Sequence, residues 1–254
     1  NAFRVQLFKI DSKKAEIKDG KTAKKIVGDL EKAKYEVAKV VRKEVNRSPY
    51  PPFTTSTMTQ SASRLFFWSA KRTMSVSQKL YEEGLITYHR TDSVNIAAPA
   101  INMVRRFIQI NYSKEFLPEQ PRFYKVKSKL AQEAHEAVRP TDVNAKVKSQ
   151  KSKFGQDEEK LYSLIWKRFV SCQMTNAVYD RTTIDVSAGE YLLRASGQVV
   201  KFAGWKEVYG GNGGDVGEEV LPEVKEGDPL HLIKVDPQQK FTQPPPRYTE
   251  ASLI

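Results

Sequence analysis

Residues 84–93 read Gly84-Leu85-Ile86-Thr87-Tyr88-His89-Arg90-Thr91-Asp92-Ser93. A glycine here predicts a helix end, since it accepts a left-handed backbone without a Cβ penalty. Residues 85–87 then read as a short apolar strand, and Thr91-Asp92-Ser93 as a turn. Strand side chains repeat every second residue, so Tyr88 and Arg90 share a face if the backbone stays extended. A phenol then stands beside a permanent cation. That pair suits attack on a phosphodiester: tyrosine is the nucleophile, and guanidinium holds the charge that builds on the phosphoryl oxygens. The same letters also describe a core strand ending at Tyr88, with Arg90 in solvent.

Working outward, three further stretches bear on this choice. Upstream lie Pro52-Phe53-Thr54-Thr55-Ser56-Thr57 and Ser69-Ala70-Lys71-Arg72-Thr73-Met74. Downstream lies Ala131-Gln132-Glu133-Ala134-His135-Glu136-Ala137-Val138-Arg139-Pro140-Thr141. In order and spacing they resemble the active-site region of type IA DNA topoisomerases, and their wording resembles the bacterial topoisomerase I branch. The likeness is strong in the middle of the chain and only one of character at its ends.

The resemblance implies specific roles. Tyr88 would attack a single-strand phosphodiester and leave a 5′-phosphotyrosyl link, which the free 3′-hydroxyl later reverses. Bond energy is kept in that link, so no ATP is implied. Arg90 would steady the phosphoryl charge, being always protonated and able to meet two oxygens at once. His135 would contact the phosphate or relay a proton, with Arg139 a weaker contact on the next turn of the same helix. Lys71 and Arg72 would meet DNA from a second helix. The family also carries Mg²⁺ on a carboxylate cluster with an Asp-x-Asp pair; no Asp-x-Asp occurs here, so the expected ligands lie outside this chain. His89 stands where the bacterial motif commonly has methionine, a departure that bears on local packing and on the balance of cleavage and religation.

Charge fits a polyanionic partner. Lys and Arg number 42 against 30 Asp and Glu, for a net +12. Residues 181–254 hold 8 basic and 11 acidic groups, so the excess lies wholly before them. Such an excess is the footprint expected of a nucleic-acid surface, although a merely soluble basic face has the same composition. The single cysteine, Cys172, permits no internal disulfide and fits a reducing compartment. No apolar run reaches membrane-span length, and no basic amphipathic helix with a strong aromatic face argues for a membrane partner. The expected setting is cytoplasmic, at the bacterial nucleoid. The chain opens on Asn1 and stops at Ile254 within a helix-like start, and is expected to be a piece of a longer protein whose remaining domains are its partners.

Along the chain, residues 3–10 alternate as a strand, 22–30 suit a short helix, and 35–45 are β-branched and alternating. Ser48-Pro49-Tyr50-Pro51-Pro52 breaks the pattern. Ser56 and Ser69 are expected caps of two successive helices. A third starts its regular part near Ala98, with Pro99 in the first turn. The clearest helix spans 157–175, with Asp157, Glu158 and Glu159 where the dipole favours anions and Leu161, Leu164, Ile165, Phe169 and Cys172 on its buried stripe. Residues 181–187, 191–195, 198–202 and 230–235 are expected strands, with the glycine-rich run 210–214 between the last two.

The predicted fold class is α+β. A β-rich arch is formed by both ends, residues 1–54 and 179–243. A helical, winged-helix-like domain of residues 55–178 is inserted in it and carries the tyrosine, and residues 244–254 begin a following domain. Two other functions remain compatible with the residues. One is a helix-turn-helix DNA-binding module without catalysis; the other is a scaffold that binds no nucleic acid.

Overall fold

The computed structural model describes residues 2–125, 136–145, 155–210 and 220–253. It divides into two compact units. One comprises residues 1–46, 178–201 and 216–245; the other comprises 47–177, 202–215 and 246–254.

The first unit is a six-stranded sheet with one helix. Strand β1 (Gln6–Ile10) forms a hairpin with β2 (Lys13–Lys14). Asp11 and Ser12 both take positive φ (46° and 65°), the geometry a two-residue hairpin needs to match strand twist. Helix α1 (Gly20–Lys32) starts where the Thr22 N–H donates to the Asp19 carboxylate at 2.8 Å. Strands β3 (Tyr35–Arg47), β4 (Ala177–Ala188), β5 (Tyr191–Phe202) and β6 (Pro229–Leu230) complete the order β2-β1-β5-β4-β3-β6. Ile26 and Leu30 of α1 cluster with Val37, Ile184, Val186, Tyr191 and Leu193. Two expectations change here. Residues 191–195 and 198–202 are one strand, because Gly197 has no positive φ and so makes no turn. Of 230–235 only Leu230 is in a strand, since β6 pairs with Tyr35 and Glu36 alone.

The second unit is helical. Helices α2 (Thr55–Phe66) and α3 (Ala70–Glu82) precede α4 (Ala98–Asn111). A 3₁₀ turn (Lys114–Phe116), α5 (Gln156–Cys172), α6 (Lys206–Tyr209) and α7 (Glu250–Leu253) follow. Met58 and Ala62 of α2, Leu80 of α3, Val104 and Ile108 of α4, and Leu161, Ile165, Phe169 and Cys172 of α5 are fully buried. Burial pushes the Cys172 thiol up to about 12, so it is packing rather than a nucleophile.

Ser69 caps α3 as its sequence predicts, but α2 is capped by Thr54 rather than Ser56. Thr54 and Thr57 exchange a reciprocal pair of side-chain-to-backbone bonds, and that capping box fixes the helix start two residues earlier. The proline-rich segment before it is pinned by Arg168 of α5. The Arg168 guanidinium lies 4.6 and 4.7 Å from the Tyr50 and Phe53 ring centres, and Nε donates to the Pro51 carbonyl at 2.6 Å. Residues 136–140 are extended, not helical as the motif predicts. Pro140 biases Arg139 away from the helical region. The Val138 N–H donates instead to the Phe53 carbonyl at 2.8 Å.

Candidate active site

The loop that bears Tyr88 begins at a helix end built as a Schellman motif. Gly84 has φ 70°, its N–H donates to the Tyr81 carbonyl at 2.8 Å, and the Leu85 N–H reaches the Leu80 carbonyl at 2.9 Å. The chain then passes beside residues 137–141, where the strand expected over 85–87 is a single bridge at Ile86 between bends at 85 and 87. Ile86 bridges to Pro140, the Thr87 N–H donates to the Arg139 carbonyl at 2.9 Å, and the Thr141 N–H donates to the Leu85 carbonyl at 3.0 Å. The Thr87 hydroxyl adds a bond to the Ala137 carbonyl at 2.7 Å and accepts the Arg139 N–H at 3.0 Å. This segment is thereby held on one side by main-chain bonds to 137–141.

Its other side is held by Thr55. The Thr55 hydroxyl donates to the His89 carbonyl at 2.8 Å and accepts the Thr91 N–H at 2.8 Å, while the Thr55 N–H donates to the Thr91 carbonyl at 2.8 Å. Residues 89–91 are thereby fixed to the first turn of α2. Side chains alternate across this fixed backbone. Tyr88 is 46% exposed, His89 is 0% exposed, and Arg90 is exposed again. The Tyr88 ring packs edge-on against Tyr81, with centroids 5.3 Å apart, and against His89 at 5.5 Å. Among the described residues, neither the Tyr88 hydroxyl nor the Arg90 guanidinium has a hydrogen-bond or ion-pair partner. The histidine pKa is lowered by burial first and then by Arg90, with Glu82 opposing. At neutral pH His89 is therefore an uncharged ring.

The remaining predicted contacts are placed differently from one another. Lys71 is exposed on α3 and carries no ion pair among the described residues. Arg72 is held by Asp157, with Nε and Nη2 donating at 2.9 and 3.0 Å, and lies 4.9 Å over the Trp68 ring. Arg139 has a side chain only 12% exposed; Nη2 donates to Glu136 at 2.7 Å and Nη1 to the Pro140 carbonyl at 2.9 Å. Its main chain is beside Thr87, but its guanidinium is committed to Glu136. His135 lies outside the described residues. Sequence reasoning missed Thr55, Thr87 and Glu136, whose carboxylate also accepts the Ala97 N–H at 2.6 Å. The only sequence signal for Thr55 is its place within the Phe-Thr-Thr-Ser-Thr run.

Chemically, the loop presents a phenol and a guanidinium outward from a braced backbone. Such a pair can attack and steady a phosphate diester. No group of three or more His, Cys, Asp or Glu side chains among the described residues could hold a metal ion.

A family model described as DNA topoisomerase matches residues 3–254. DNA topoisomerase 1 of Vibrio cholerae is 47% identical over 228 residues, covering 90% of this chain and 26% of that protein. DNA topoisomerase 1 of Pasteurella multocida is 43% identical over 253 residues, covering 100% of this chain and 29% of that protein. Among solved structures, full-length topoisomerase I from Thermotoga maritima is similar with a TM-score of 0.75 at 29% identity, over 96% of this chain and 40% of that one. The chain thus spans between a quarter and a third of the length of these curated relatives. With the match running through almost every residue, the chain belongs to the type IA DNA topoisomerase family.

Proposed function

We propose that this chain is the strand-cleaving portion of a bacterial type IA topoisomerase, with Tyr88 as the nucleophile. The observation that carries the reading is the braced loop with its exposed phenol and guanidinium on either side of a buried ring. The Tyr88 Oη attacks phosphorus, the bond to the 3′-oxygen breaks, and that oxygen leaves as a 3′-hydroxyl after taking up a proton. The product is a 5′-phosphotyrosine, and the reverse attack reseals the strand without ATP. A free phenol has a pKa of about 10, so its proton must pass to a neighbour or to solvent during attack. Arg90 meets the charge that grows on the phosphoryl oxygens. His135 is assigned to the phosphate by the motif alone. Lys71 contributes a cation without an ion pair among the described residues, whereas Arg72 and Arg139 must first leave Asp157 and Glu136.

In this reading the sheet unit is the arch and the helical unit the gate that lifts with the tyrosine. Relaxation of negatively supercoiled DNA belongs to the longer protein, whose other domains supply the Mg²⁺ ligands and most of the strand groove, in the bacterial nucleoid. The purified chain is expected not to relax plasmid DNA, and to relax it once the remaining domains are added. Relaxation by the chain alone, absent in a Tyr88→Phe control, would contradict this.

The second reading, a helix-turn-helix module without catalysis, rests on α2 and α3 with Ser69 at their junction. It is the weaker because two of the cations on α3, Arg72 and Lys79, are held by Asp157 and Glu158. Binding to short duplexes in preference to single strands, unchanged by Tyr88→Phe, would favour it.

A further inference from the structure

His89 sits between the two exposed groups of the loop and is the one side chain of the three turned fully inward. Among the described residues, both of its ring nitrogens, Nδ1 and Nε2, are buried without a hydrogen-bond partner. Buried polar atoms are nearly always paired, so an imidazole with neither nitrogen satisfied calls for a reason. Its surroundings are aromatic. The Tyr88 and Tyr81 ring centres lie 5.5 and 5.9 Å from it and 5.3 Å from each other, so the three rings form one closed cluster. The backbone cannot give way, because the His89 carbonyl is held by the Thr55 hydroxyl.

We propose that His89 is a positioning residue for Tyr88: its neutral ring seats the nucleophile against Tyr81, and protonation of the imidazole unseats it. The proposal rests on the reading of Tyr88 as the nucleophile. An imidazolium donates from both ring nitrogens, and among the described residues neither nitrogen has an acceptor within hydrogen-bond reach. The groups that face it can be named by element. Its own loop brings Arg90, a cation that opposes a second positive charge. The end of α3 brings Glu82, a weaker influence of the opposite sign, and the phenol of Tyr81. The start of α2 brings the uncharged Thr55 hydroxyl, which bonds the His89 carbonyl. Desolvation and Arg90 outweigh Glu82, so the folded chain holds this histidine below the ordinary 6.5.

The direction of the response follows. Well above pH 6.5 the ring is neutral in both folded and unfolded chains. As pH falls from 6.5 through the lower folded value, the unfolded chain binds the proton first, so acid weakens the packed loop across that window and not further below it. Once charged, the ring gains by turning towards water, and the Tyr88 ring loses one of the two surfaces it packs on. Because small misplacements of a nucleophile slow its reaction steeply, cleavage falls with the same midpoint.

The chain has three histidines, His89, His135 and His231, so carbon-labelled imidazole signals can be followed singly by NMR and assigned with His89→Met. Tyr88 ring signals are recorded in the same titration of the chain, and covalent adduct formation on single-stranded DNA is measured against pH in the full-length protein. Expected are a His89 midpoint below 6.5, Tyr88 signals that follow it, and a fall in adduct rate of roughly tenfold to a hundredfold across it. In His89→Met, and in His89→Phe as a second uncharged ring, that acid limb is lost. A His89 midpoint at or above 6.5, Tyr88 signals indifferent to it, or an acid limb unchanged in both variants overturns the proposal while adduct still forms. Absence of adduct at every pH in every form overturns the nucleophile assignment and the proposal with it.

Discussion

In the six-stranded sheet, Arg194 forks onto Asp185 at 2.6 and 2.8 Å and lies 3.7 Å over the Phe8 ring. Nearby, Lys201 meets Glu44 at 2.7 Å and the Tyr191 hydroxyl donates to Asp29 at 2.8 Å. In the loop of residues 84–93 the same kinds of group stand open: among the described residues, a phenol and a guanidinium have no partner and a buried imidazole has neither nitrogen satisfied. The backbone shows the reverse contrast. The loop, which has no regular ladder of its own, is braced from both sides by Thr55 and by residues 137–141. Matched side chains mark a part of the molecule that is held for stability. In the proposed reading, unmatched side chains on an over-determined backbone mark one that is held ready for a ligand.

The contrast can be broken most sharply at Tyr88. Tyr88→Phe removes one exposed oxygen and keeps the ring pair with Tyr81. It is expected to abolish covalent adduct formation, with stability changed by less than about 0.5 kcal/mol in denaturant titration. Arg90→Ala should leave the fold equally intact and slow adduct formation by roughly 10²–10³-fold in single-turnover assays. Thr55→Val keeps the side-chain shape but removes the hydroxyl that joins α2 to residues 89 and 91. A loss of roughly tenfold in adduct rate is expected with about 1–2 kcal/mol of stability. The smallest effect on chemistry belongs to the sheet. Arg194→Met should lower stability by about 1 kcal/mol, for a paired but partly exposed charge, and leave adduct formation by the longer protein unchanged. Should Arg194→Met slow the chemistry as much as Thr55→Val, the two regions would not be separate in role.

Much of this was legible in local sequence. Gly84 ends α3 because the left-handed position has to be filled there, and Ser69 starts that helix because its hydroxyl reaches an orphan N–H. Pro99 places the start of α4, and the acidic first turn and apolar stripe of α5 announce that helix. The exposed–buried–exposed alternation at 88–90 has the period read from the sequence, although the backbone bends at 89 and 90. What was not legible depends on partners far along the chain. The Thr55 latch joins residues 34 and 36 positions apart. The extended form of 136–140 needs Phe53 on one side and Ile86 on the other. Arg139 reads as a free cation on a helix, and the extended backbone instead sets it against Glu136. Glycine at 197 suggests a turn, and the neighbouring strand overrides it.

The most direct test of the central claim is covalent trapping. The chain, supplied with the remaining domains and Mg²⁺, is mixed with end-labelled single-stranded DNA, denatured, and digested to map the linked residue. The account predicts a denaturation-resistant adduct whose DNA is joined through a 5′-phosphate to Tyr88, absent in Tyr88→Phe. An adduct on another residue, or none although the domains demonstrably reassociate, would contradict it.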